Sequence, residues 1–598
     1  MFLSSFLIAA GLLAAETPDT LQAVTIVADK GFVVSRTDTI SIIGLNGTIS
    51  DALLRLPGIA LSDLGGAAGL KNASLRGLGT AHTDIYLDGV RVSNFQSGQN
   101  DLGMLPLEML GSAVTDYAQN SLSFRTARPV FGESPFAGRV SLRGGSFGTW
   151  MPALRFDVRA SERVSISAHA AGILTRGDFP YGEDGSRRSG NDLRQLRAGY
   201  DVFGTMAGGE WQLKSYVNAA DRGTPGSLSW PSEDRQRDRN AIVQGFVHKR
   251  FSDFYTLNLS AKGAWDGIAY KSAWGDSDHD FSDLQVNSSH SFRLTDRWGL
   301  SLAADLERGV LRATGYDAAR TAAVAAIGTV LRSGGFRAGL SIEYRGTFDR
   351  DAPALHRLSP SLDLRVRLSE GLDFVAFGRR ASRAPTFNEL YYPGYGNPEL
   401  KPEDAWLSDA GIEWHRTSGG WRLDAKADVF YNLLTDKIIS APSEADPYLW
   451  LPYNIGKAEA AGADASLSLR HAGDVWDSGI SARYAWQSAL DKTPDSATYG
   501  MQLPYVARHT VTLAADASRD GWRLDALWNW RGGRFDAAGQ MPDWNSLDLS
   551  LRKSISLRGG QILSLSFSAK DLTDHRYEIV RDYPMPGRSL LGGVEFKF

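Results

Sequence analysis

Four aspartates and a histidine crowd the stretch WGDSDHDFSD, residues 274–283, with Asp276, Asp278, Asp280 and Asp283 around His279. Oxygens of this kind hold hard cations, but the stretch lacks the glycine-centred spacing of a calcium loop. A solvated acidic loop without a metal is expected. The chain contains no Gly-x-Ser-x-Gly, no His-Glu-x-x-His and no phosphate-cradling glycine loop. It has no cysteine, which excludes disulfides and thiolate metal sites, and its ten histidines are scattered. Neither an enzyme nor a cofactor is expected. A second stretch, YYPGYGNPELKPE (391–403), mixes aromatics with turn residues. Pro393-Gly394, Gly396-Asn397-Pro398 and Pro402 preclude a regular strand there and make it a loop. Tyr391, Tyr392 and Tyr395 offer amphipathic surface, open to two readings: ligand contact, or loop packing and an interfacial girdle.

The elements around these residues are mostly strands. In WRLDALWNWRG, Trp522, Leu524, Ala526, Trp528 and Trp530 take every second position, and LSLSFSAKD, YTLNLSAKGAW and WRLDAKADVFY repeat the pattern. One face is apolar with aromatic ends, and the other is polar. Segments of about 9–11 residues are long enough to cross a membrane when tilted. Tight stretches such as RASERVS (159–165) alternate with long polar ones such as 268–283, as the short turns and long loops of an outer-membrane barrel do. The chain ends on LLGGVEFKF (590–598), alternating to its last residue, Phe598. A closed barrel has no free edge, so this last strand must pair with the first. The ~460 residues after position 136, at about 20 per strand and connection, predict roughly 22 strands. The fold class is therefore an all-β transmembrane barrel. Its wide lumen needs a plug.

Residues upstream of the barrel have a different texture. TISDALLRLPGIAL places Ile49, Ala52, Leu53 and Leu56 at helical spacing, and TDIYLDGVRVS reads as strand, Asp88-Gly89 turn, strand. The N-terminus is apolar over 2–15, the length of an export signal. The expected divisions are a signal peptide (1–15), a linker (16–30), a small α+β domain (31–135) lying in the lumen, and the barrel (136–598). No other stretch is long and apolar enough for a helical span. A net charge of −4 gives no reason to expect nucleic acid.

In PDTLQAVTIVADK, LLRLPGI, ASLRGLGTAHTDIYLDGVRV, SRAPTFNELYYPGYGNPELKPE and KDLTDHRYEIV…GRSLLGGVEFKF, taken in this order, the chain resembles the TonB-dependent receptors of the Gram-negative outer membrane. The resemblance covers residues 20–598. It implies a plugged barrel embedded in outer-membrane lipid, driven by TonB with its inner-membrane ExbB/ExbD motor, and leaves a surface lipoprotein partner open. Thr20, Leu21, Gln22, Ala23, Val24, Thr25, Ile26 and Val27 match the Ton box, an extended segment that can add to a partner's sheet edge. Arg76 and Arg91 match plug arginines that bond carboxylates on the barrel wall. The alternative for both is a surface salt bridge worth ~0–1 kcal/mol.

Within the family the chain is most similar to the cobalamin branch. LPGIALSDLGGAAGLKNASLRG keeps that branch's spacing, with Gly65-Gly66 in the first ligand loop, Leu70 at a ligand-facing position and Asn72 after it. In the second loop, Asn94, Phe95 and Gln96 precede Ser97-Gly98. Amides and hydroxyls suit cobalamin's neutral amide rim, whereas an anionic siderophore calls for arginine or lysine and these loops hold only Lys71. Haem calls for imidazole. His82 is one candidate, but residues 384–398 contain no second histidine. Haem and ferric siderophores remain the alternatives. An open porin or an adhesin is disfavoured, because neither needs a plug and a Ton box.

Overall fold

The computed structural model describes residues 37–42, 48–56, 58–92, 94–98, 101–182, 184–443, 449–536 and 538–598. The expected signal peptide, linker and Ton box lie outside these residues.

Among the described residues, 22 antiparallel strands from Phe136–Gly145 to Ser589–Lys597 close into a barrel. Every strand pairs with its sequence neighbour, and the last pairs with the first, from Leu591 opposite Gly145 to Lys597 opposite Arg139. The pairing runs to the end of the chain. Gly138 donates to the Phe598 carbonyl at 2.7 Å and Phe598 donates back at 3.0 Å. Gly138 has a steric reason to be glycine, since a Cβ there would stand 2.3 Å from the Phe598 ring.

Burial along the strands is inverted relative to a soluble protein. On Ile562–Lys570, Phe567 is 52% exposed while Ser564 and Ser568 are buried. Trp522 and Leu524 face outward on their strand, and Asn529 is enclosed. A solvent of lipid outside and water inside demands this arrangement. Connections at one end are as short as Glu162–Arg163 and Glu370–Gly371, whereas at the other end they run to 176–192, 384–402 and 571–588.

The stretch 268–283 is not the long loop expected. Strands Tyr255–Lys271 and Ser277–Arg293 continue through it, leaving only 272–276 as a turn. Above the apolar band the outward positions become polar, so the hydrophobic alternation fades while the hydrogen-bond ladder persists. Pleating also disperses the acidic cluster, because Asp278 and Asp280 are exposed whereas Phe281 and Asp283 are buried. Among the described residues no group of side chains is placed to hold a metal ion.

The plug lies inside the barrel. Its strands are β1 (Thr37–Ser41), β2 (Ile59–Asp63), β3 (Lys71–Leu75), β4 (Asp84–Leu87), β5 (Val90–Arg91), β6 (Leu110–Asp116) and β7 (Ser121–Thr126). One sheet has the order β1-β6-β7-β4-β5 with β4 parallel to β7, and β2 and β3 form a separate antiparallel pair. The helix Ile49–Leu53 is capped by Thr48 and Asp51, and Ile49, Ala52, Leu53 and Leu56 are buried as their spacing predicts. Asp88 (φ 47°) and Gly89 (φ 78°) make the tight β4–β5 hairpin. The apolar core continues from the plug onto Ala405, Leu407, Phe430 and Leu434 of the barrel wall.

Candidate functional site

The second plug loop and the rim stretch after Arg383 form one unit. Thr386 accepts a hydrogen bond from the Glu389 amide at 3.2 Å, and Glu389 accepts one from the Thr386 amide at 2.7 Å. This box starts the helix Phe387–Tyr391. The helix's first amides are aimed at the plug: Phe387 N–H donates to the Phe95 carbonyl at 2.8 Å and Asn388 N–H to the Gln96 carbonyl at 3.0 Å. Arg383 binds both Glu389 oxygens, at 2.8 and 3.0 Å, and Glu403 at 2.8 Å. Glu403 also bonds His82 of the plug. His82 is therefore committed to the plug–barrel contact and does not present its ring as an open haem ligand.

Phe95 is a buried anchor here. It packs among Phe281, Leu311, Ala318 and Phe387, edge-on to Phe281 and Phe387. Arg320 stacks 5.2 Å from the Phe95 ring and 5.1 Å from that of Phe387, and Asp349 fixes it through two bonds of 2.6 and 2.7 Å. Tyr391 donates to Asp349 at 3.2 Å, and burial together with that carboxylate pushes its phenol above the usual range. Gln96 is buried against His279, with Nε2 and Nδ1 2.9 Å apart. Asn94, half-buried, accepts from the Gln96 amide at 3.1 Å. Ser97 and Tyr392 are exposed, and the Tyr395 hydroxyl pairs with Ser440 at 2.7 Å. The helix that carries Tyr391 thus docks on the loop 94–98, which their sequence separation does not suggest.

The first plug loop is closed on itself. Lys71, only 2% exposed, donates to the carbonyls of Gly66 and Gly69 at 2.7 and 2.8 Å. Gly65 N–H donates to Asp63 at 3.0 Å, and Leu64 N–H to the Leu70 carbonyl at 3.2 Å. A Cβ on Gly66 would meet Asn191 of a barrel loop at 2.6 Å, so the tip needs glycine to reach the wall. Leu70 is half-buried. Asn72 is buried on β3 and borders a small interior space with Thr80, Thr83 and Leu102.

Arg76 is a latch of a stronger kind than a surface pair. It bonds Asp409 at 2.6 Å, Asp464 at 3.0 Å and Asp428, three carboxylates of three barrel strands. Its guanidinium also lies 4.0 Å from the Tyr117 ring and 4.5 Å from that of Phe430. Burial alone would push the guanidinium's pKa down, but the three carboxylates outweigh it and hold it above its usual value. Arg91 bonds first within the plug, to Asp84 at 2.8 Å, and reaches Glu307 of the barrel only at 3.6 Å.

Sequence reasoning missed the reciprocal latches, in which plug acids meet barrel cations. Asp88 meets Lys214 at 3.2 Å, Asp101 meets Arg222 at 2.6 Å, Glu108 meets Arg197 at 2.7 Å and Asp38 meets Lys426 at 2.9 Å. Asp51 bonds Lys570. The signal was a lysine or arginine on a strand's polar face, which looks the same whether it faces water or the plug. Sequence reasoning also missed the Thr386–Glu389 box, a helix start just ahead of the loop stretch 391–403.

A wide barrel exposing apolar side chains to lipid, its lumen filled by a plug held through charge pairs, is a gated transporter and not an open pore. Two family models match the chain: "TonB dependent receptor-like, beta-barrel" over residues 136–572 and "TonB-dependent Receptor Plug Domain" over 33–145. The chain belongs to the TonB-dependent receptor family, transporters of the Gram-negative outer membrane. It is 24% identical over 593 residues to the vitamin B12 transporter BtuB of Vibrio vulnificus, covering 92% of this chain and 90% of that one. The BtuB of Photobacterium profundum is 23% identical over similar coverage. Among solved structures, the copper transporter OprC superposes with a TM-score of 0.77 at 16% identity, covering 94% of this chain and 99% of that one. The siderophore receptor PiuA of Acinetobacter baumannii superposes with a TM-score of 0.74 at 14% identity, covering 95% and 97%. At such identities these structures show the shared fold alone.

Proposed function

We propose that this transporter imports cobalamin or a related corrinoid, bound where the rim tyrosines meet the second plug loop. The observation that carries this reading is the fate of the charged groups in the plug loops. Lys71 is consumed by its own loop's carbonyls, and His82 by Glu403. Around the loop tip and the rim tyrosines the groups nearest the surface are neutral, Ser97, Asn94, Tyr392 and Tyr395, and the charged Glu399 and Lys401 lie further along the rim stretch. Neutral hydroxyls and amides fit a ligand rimmed with amides. An anionic siderophore gains most from charge-assisted bonds, and haem iron from a free imidazole. The two BtuB relatives support the same ligand class. Of the residues expected to touch it, Asn72, Phe95 and Gln96 act through the shape of the site, since their side chains are covered. Export by residues 1–15, and engagement of TonB and its ExbB/ExbD motor by Thr20–Val27, belong to this reading.

Titrating cyanocobalamin, haem and a ferric siderophore into purified protein, with thermal unfolding as readout, tests it. A ligand at a hundred times its Kd stabilises the native state by about 2.7 kcal/mol. Cyanocobalamin is expected to raise the unfolding temperature, and the pair Ser97→Ala and Tyr392→Phe to weaken binding by roughly one to two orders of magnitude, at about 1 kcal/mol per neutral bond. Stabilisation by haem or the siderophore but not by cyanocobalamin would overturn the ligand assignment.

A further inference from the structure

The plug is not fastened evenly around the wall. On the side of strands Glu403–Ser418, Trp421–Pro442 and Trp450–Ala472, Arg76 is locked to its three carboxylates. Along strands Tyr255–Lys271, Ser277–Arg293 and Trp298–Ala313 the lower plug faces a polar cavity instead. Tyr86, Gly89, Arg91 and Gln119 form its plug side, and Gln285, Ser289 and Glu307 are among its wall residues. The cavity is roomy enough for ordered water.

The wall there is unfinished as protein. Gln285 Oε1, Asn287 Oδ1, Ser289 Oγ and Glu307 Oε1 are enclosed without a hydrogen-bond partner in the chain. Gln285, Ser289 and Glu307 are 5%, 7% and 6% exposed. Buried oxygens of this kind are satisfied by water. Ala303 and Ala322 add width by adding no bulk. The cavity is capped from above. Lys262 donates to the Arg91 carbonyl at 2.6 Å, Arg91 faces Glu307 at 3.6 Å, and the Phe95 cluster borders this region.

From this asymmetry we infer that substrate passes the plug along this hydrated seam, and that the contacts of Arg91 with Glu307 and Lys262 form its upper closure. Groups already bonded to water exchange partners at little net cost when a gap widens. Pulling Arg76 from its site strands three carboxylates instead. A force on the plug therefore opens the seam first, with the Arg76 side as the hinge. At rest the cavity is far too small for a corrinoid, which keeps the barrel sealed. The inference rests on TonB-dependent transport and not on the identity of the ligand.

The chain has no cysteine, so single introduced thiols report cleanly. Ser289→Cys lies in the seam, and Ser568→Cys is a buried lumen-facing control on strand Ile562–Lys570. Each is labelled in cells with a small cationic methanethiosulfonate, with and without TonB. Ser289→Cys is expected to label about tenfold faster with TonB, an equilibrium shift of about 1.4 kcal/mol toward the open seam, and Ser568→Cys equally fast in both. In a second arm, cells carrying Ser289→Trp should bind cyanocobalamin as wild type does but take it up poorly, whereas Ser568→Trp spares uptake. Labelling of Ser289→Cys that ignores TonB, or lags behind the control's response, would overturn the inference. The labelling arm needs no substrate, so its failure is distinct from failure of the corrinoid assignment.

Discussion

Arg76 ties the plug to three barrel strands at once, and its backbone pays for the position with a left-handed φ of 48°. Replacing it by alanine leaves Asp409, Asp428 and Asp464 facing one another without their central cation. A loss of about 3–5 kcal/mol in plug–barrel stability is expected, as for breaking a buried pair. Lysine should recover only part, because one ammonium cannot fork to three carboxylates. The urea midpoint of plug release, followed by protease sensitivity, measures this, and an unchanged midpoint in Arg76→Ala would refute the junction's role. The arginine was legible in the sequence through its motif, but its three partners were not, since they lie on strands more than three hundred residues away. Phe95 stands among amides in the sequence, and only the distant Phe281, Leu311 and Phe387 show that it is a buried anchor.

The closing strand is the element whose role the sequence displayed most openly. Its alternation ran to Phe598, and the terminal residue does pair, with Gly138. Gly138→Val should place side-chain atoms inside the space of the Phe598 ring and lower the yield of folded barrel, read as the heat-modifiable fraction on a gel. Gly592→Ala, where an added Cβ meets nothing nearer than the Gly144 carbonyl at 4.0 Å, should fold normally. Equal yields for the two variants would contradict the steric account. Period-2 patterning located strands wherever one face met lipid. It failed over 268–283, where the outward positions turn polar while the backbone ladder continues. The helix Phe387–Tyr391 was hidden differently, because its cap signal lies among prolines and glycines that dominate the local reading.

At the scale of the whole molecule, the inverted burial and the plugged lumen make one machine. Lipid outside sets the strand pattern, and charge pairs inside hold a removable plug without a dry interface. Both were legible, because solvent on each face leaves a periodic mark and a wide barrel needs filling. Ligand identity was less legible, because it depends on which groups the rim segment covers and which it leaves outward. The central claim is uptake of a corrinoid driven through the N-terminal segment. Its most direct test is accumulation of radiolabelled cyanocobalamin by cells lacking their own receptor and expressing either this chain or its Thr25→Pro variant. Proline removes a ladder donor from a segment that pairs by strand addition. The account predicts that the wild-type chain restores uptake, and that Thr25→Pro abolishes it while surface binding persists. Failure of the wild-type chain to take up cyanocobalamin, or undiminished uptake by Thr25→Pro, would contradict it.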